Sequence, residues 1–92
     1  MIRFYSYHYI LMAETFVITA NYKNKQRDFD AELHSFGFSY RIEIMVDDVK
    51  VIFEPDEERN YRAYVPDAIG AQTLPDALLL KAIAQALEEA FK

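Results

Sequence analysis

His34, Ser35 and Ser39 are the residues whose types would suit nucleophilic chemistry, and Asp28, Asp30, Glu32 and His34 are those whose spacing would suit a metal ion. A serine hydrolase needs an imidazole to take the hydroxyl proton, an acid to orient it, and donors for the oxyanion. Ser35 directly follows His34 and so points across the pleat from it; Ser39 comes opposite His34 only if the strands reverse at Phe36-Gly37. No glycine-rich elbow accompanies either serine. Asp28, Asp30, Glu32 and His34 share one strand face, but successive groups stand about 6.6 Å apart, too far for one ion to be gripped by that strand alone. The sequence therefore assigns no catalytic residue, no metal ligand and no cofactor, and an enzyme is not expected.

A second acidic candidate is "EPDEERN", where Asp56, Glu57 and Glu58 would be weak cation ligands. It lacks the D-x-[DN]-x-[DN]-G spacing of a calcium loop. The chain has only two glycines, Gly37 and Gly70, too few for either common phosphate-cradling loop. The acidic burst is expected to be a solvated hairpin tip, with Pro55 unable to donate in a ladder and Asn60 suited to a left-handed turn.

Charge narrows the partners. The net charge is −5 with an isoelectric point near 4.9, and only "YKNKQR" (Tyr22 to Arg27) is locally basic. Nucleic-acid affinity comes from clustered cations releasing counterions, so no nucleic-acid partner is expected. The absence of cysteine excludes disulfides and thiolate metal sites, and favours the cytoplasm. Residues 1–11, "MIRFYSYHYIL", carry neither a signal-peptide cleavage pattern nor enough apolar length to span a bilayer, so no membrane partner is expected. Two readings of this segment stay open: a non-native leader upstream of a start at Met12, or an extra strand.

The elements that would position these groups follow from alternation. Glu14 to Tyr22 sets Phe16, Ile18, Ala20 and Tyr22 against Thr15, Val17, Thr19 and Asn21. Gln26 to His34 sets Phe29, Ala31 and Leu33 against charged residues; Phe38 to Val46 sets Tyr40, Ile42, Ile44 and Val46 against Ser39, Arg41, Glu43 and Met45. Val49 to Phe53 continues the pattern, and Tyr61 to Val65 shares Phe53's face if the connecting loop is odd in length or bulged. Turns at Asn24-Lys25, Phe36-Gly37 and Asp47-Asp48 would pair Ile18 with Ala31, Leu33 with Tyr40 and Val46 with Val49, giving one dry face. On the wet face this register aligns Glu32, Arg41 and Glu54 in a polar row. It also leaves Val17, Met45, Ile52 and Tyr64 pointing away from the core as a possible interaction surface.

Thr73 is expected to cap a helix running from Pro75 to about Phe91, with Asp76 as the reciprocal member. Leu79, Ile83, Ala86 and Leu87 recur at helical spacing, while Glu88 and Glu89 read as solvated. The sequence predicts one α+β domain over 1–92, an antiparallel β-meander of four to five strands with one C-terminal α-helix packed on one face. Residues 12–65 form the meander, 66–74 a linker and 75–91 the helix. The functional expectation is a small cytosolic protein-protein interaction module that forms a homodimer. The alternative is a small-ligand-binding protein or enzyme with a pocket between helix and sheet, near Tyr40, Tyr61 or Tyr64 and the linker around Gly70.

Overall fold

The computed structural model describes residues 14–66 and 74–91. The two readings of residues 1–11, the Thr73 cap and the linker around Gly70 fall outside the described residues. Alternating patterns build five strands: β1 (Glu14–Tyr22), β2 (Lys25–Phe36), β3 (Ser39–Val46), β4 (Val49–Pro55) and β5 (Tyr61–Tyr64). They form one antiparallel sheet in sequence order, and a single helix, α1 (Ala77–Ala90), packs on it. The fold is an α+β meander. No helix among the described residues is long and apolar enough to cross a membrane.

Two of the three expected turns sit one residue away from their predicted positions. The first is Lys23-Asn24, both in left-handed backbone with φ of 50° and 64°. Asn tolerates that conformation well, and consecutive positive φ values match the twist of a two-residue hairpin. The second is Gly37-Phe38, where Gly37 (φ 65°) takes the first central position. Moving a two-residue turn by one position moves the register by two, so Ile18 faces Phe29 rather than Ala31, and Leu33 faces Ile42 rather than Tyr40. Asp47-Asp48 turns where expected, pairing Val46 with Val49 and Ile44 with Val51. A slip of two preserves the pleat's parity, and every side chain keeps its predicted face.

The acidic tip resolves the odd-length question. Residues 56–60 form a five-residue loop, so Pro55 meets Tyr61 and Phe53 meets Ala63 on one face. Asp56 Oδ1 accepts hydrogen bonds from the backbone N–H of Glu58 (2.8 Å) and Asn60 (2.9 Å), a side-chain mimic of a turn. Arg59, rather than Asn60, takes the left-handed conformation (φ 68°).

The helix begins at Ala77 rather than Pro75 because Asp76 is itself the N-cap, its Oδ1 accepting from the Leu78 N–H at 3.0 Å. Leu79, Ile83 and Leu87 are spaced four apart and buried against Ile42, Ile44, Val51 and Phe53. Tyr22 donates a hydrogen bond to Asp76 at one end of the helix, and Phe16 meets Phe91 edge to face at the other, with centroids 5.7 Å apart. The helix therefore runs antiparallel along β1. At the opposite edge, the Tyr61 N–H donates to Glu88 Oε2 at 3.3 Å, so Glu88 ties β5 to the helix instead of standing free in solvent.

Candidate functional site

Glu43 is the hub of the face turned away from the helix. The actual register puts it directly opposite Glu32 on β2 and Ile52 on β4, while Arg41 stands opposite His34. Like charges facing across strands repel, and three groups gather to offset them. His34 Nε2 lies 3.0 Å from Glu32 Oε1 and 3.7 Å from Glu43 Oε2. Arg41 approaches Glu43 Oε2 at 3.3 Å, and Lys50 approaches Glu43 Oε1 at 3.6 Å. Arg41 also lays its guanidinium over the Phe36 ring at 5.0 Å, and its Nε is buried with no hydrogen-bond partner among the described residues.

The expected row of Glu32, Arg41 and Glu54 is thus replaced. The two-residue register shift moves Glu32 opposite Glu43, and Arg41 reaches Glu43, two residues along its own strand. Glu54 instead faces Arg62 (3.7 Å) and accepts from the Tyr64 hydroxyl at 3.2 Å. The same shift removes the His34–Ser39 juxtaposition, because Ser39 pairs with Phe36. Glu32-x-His34 was visible in sequence as two possible ligands on one strand face; the third, Glu43, needed the correct register. Glu32, His34 and Glu43 offer ligand atoms all within 4.8 Å of one another.

The four apolar residues expected on this face do not form one patch. Val17 (59% exposed) and Met45 (55%) line a hollow of about 780 Å³ together with Thr15, Asp30, Glu32, Glu43 and Lys50. Tyr64 (41%) lies on β5 at the far edge. Ile52 points away from the helix as expected but is only 2% exposed, flanked by its register partners Glu43 and Tyr64, so it offers no contact area.

Between helix and sheet the space is filled by Phe53, Ile42, Leu79, Ile83 and Leu87, all essentially inaccessible. At one end of this layer the Tyr40 and Tyr61 hydroxyls lie 2.5 Å apart beside a hollow also lined by Arg59, Glu88 and Phe91. Burial, and then the bond to Tyr40, push the Tyr61 phenol well above its ordinary value. At the Tyr22–Asp76 contact, the hydrogen bond raises the phenol and lowers the carboxyl, which the Leu78 N–H lowers further.

β1 presents a second feature. Among the described residues it pairs with β2 alone, and within them no strand lies against the outer side of its nine residues, "ETFVITANY". That strand has no proline or lysine, and its one charge, Glu14, stands at its end. No family model matches the sequence, and neither curated proteins nor solved structures show a significant likeness to it.

Proposed function

We propose that the chain is a cytosolic interaction module that self-associates through the outer edge of β1. The observation that carries this reading is that, among the described residues, the nine-residue β1 has no neighbour on its outer side; the strand is rich in β-branched residues and lacks the lysines, prolines and bulges that normally blunt such edges. Strand addition across a two-fold axis satisfies the backbone donors and acceptors of such an edge. Centred on Ile18, two antiparallel copies of β1 set Phe16 against Ala20 of the partner subunit and Val17 against Thr19 of the partner subunit. The bulky Phe16 thus meets a small residue, and Val17 meets one of its own size. Glu14 falls opposite Tyr22 of the partner subunit, beside a lysine at position 23, so the single charge at each end finds an opposite one.

The helix supports the same seam. Its flank towards β5 is marked by Ala77, Leu80, Lys81 and Ala84, which share a hollow with Tyr61 and Ala63. Leu78, Ala82 and Ala86 recur at four-residue spacing on the opposite flank, where Ala82 and Ala86 are half-buried against the core and Leu78 is 65% exposed. Two such flanks meet antiparallel across the same axis, with alanines permitting close approach.

The test is Val17→Lys with Thr19→Lys. In the monomer both new lysines face aspartates, since Val17 pairs with Asp30 and Thr19 with Asp28, so the fold is kept. In the dimer the lysines of one copy meet those of the other. Sedimentation equilibrium should give a dimer for the native chain and a folded monomer for the double variant at the same tens-of-micromolar concentration. A native chain that stays monomeric, or a double variant that dimerises equally well, would remove the proposal.

A further inference from the structure

We propose that Glu32, His34 and Glu43 form a binding site for a divalent transition-metal ion of the zinc class. The three side chains project from one side of two hydrogen-bonded strands, Glu32 directly opposite Glu43 and His34 two residues further along β2. Ions bound at about 2.0–2.1 Å in tetrahedral geometry place neighbouring ligand atoms roughly 3.4 Å apart. The His34 Nε2 distances to the two carboxylates, 3.0 and 3.7 Å, straddle that value. All three ligand atoms fall within 4.8 Å, so small torsional changes in the exposed Glu32 close the set.

One imidazole nitrogen and two carboxylate oxygens select the metal class. Magnesium and calcium favour all-oxygen surroundings, whereas zinc, cobalt and their neighbours accept mixed nitrogen and oxygen donors. Three protein ligands leave a coordination position open. Glu32 and Glu43 line the hollow beside Val17 and Met45, so that position is reached from solvent and can take water or a small anionic ligand. Arg41 and Lys50 now neutralise Glu43. A metal ion competes with them, which gives a test of opposite signs.

Isothermal titration of the full chain with zinc chloride should show one site, and cobalt(II) should give the visible absorption of a four- or five-coordinate complex. His34→Gln and Glu32→Gln, both at surface positions, should each weaken zinc at least about tenfold, the scale of losing a contact at a metal site. Lys50→Gln should strengthen it about two- to fivefold, the size of an exposed ion pair. Glu57→Gln with Glu58→Gln at the acidic tip should change nothing. Circular dichroism checks that each variant is folded. The proposal is overturned by no zinc heat and no cobalt spectrum at about 1 mM, by undiminished affinity in both His34→Gln and Glu32→Gln, or by loss of binding in the tip variant.

Discussion

Replacing Ile83 by alanine tests how the helix is seated. Ile83 is wholly inaccessible, at the centre of the Leu79–Ile83–Leu87 ridge that meets Ile42, Ile44 and Phe53. Truncating a buried isoleucine costs about 2–5 kcal/mol, from lost transfer energy plus the cavity left behind. A chain of 92 residues has a total stability of roughly 5–14 kcal/mol, so at mid-range values this one change removes about a third of it. With a urea m-value of about 1.5 kcal/mol/M, a loss near 3 kcal/mol lowers the midpoint by roughly 2 M. Leu78, five residues earlier on the flank and 65% exposed, is the control: Leu78→Ala should shift stability by less than about 0.5 kcal/mol. Both are measured at sub-micromolar protein, below the concentration of self-association, because binding a second copy would stabilise the native state. Similar losses for the two variants, or a loss below about 1 kcal/mol for Ile83→Ala, would refute the packing argument.

The hairpins and the tyrosines give further tests. Asp48 sits in left-handed backbone at φ 68°, so Asp48→Gly should stabilise by about 0.5–1 kcal/mol in thermal or urea unfolding, leaving the Arg27–Asp47 pair in place. Tyr61's phenol is raised in the folded chain above its ordinary value of 10.0. Its contribution is complete below that value and is lost as pH climbs towards the folded one. Ultraviolet titration should show a tyrosine ionising late, together with alkaline unfolding, and Tyr61→Phe should remove the late step.

The sequence carried the faces better than the pairings. Alternation in β1, β2 and β3 depends on pleat parity, which a two-residue slip leaves intact, so Phe29, Ile42 and Val51 lie on the helix side although two registers differ from expectation. Turn position depends on local backbone energetics. Asn24 and Gly37 each fit either central position of a tight turn, and composition does not choose between them. The consequence fell entirely on the wet face, where identity of the opposite residue matters: Glu32 met Glu43 instead of Arg41, and a polar row became a convergent cluster. Ile52 illustrates another limit. Its outward direction followed from parity, but its burial depends on the bulk of neighbours along two other strands. At the helix start, Asp76 was expected only as the second member of a cap, whereas its own carboxylate accepts from the Leu78 N–H and makes it the N-cap.

The most direct test of the open-edge account uses the chain's lack of cysteine, which lets a single nitroxide be attached at Asn21→Cys. In the two-fold pairing centred on Ile18, position 21 of each copy lies opposite position 15 of the other. The two labels are then offset by six residues, about 20 Å along the strand. Pulsed dipolar spectroscopy at about 100 µM should give a distance peak between roughly 20 and 30 Å, lost on adding Val17→Lys and Thr19→Lys. A distance beyond about 40 Å, or no dipolar signal from the folded protein, would contradict pairing through β1.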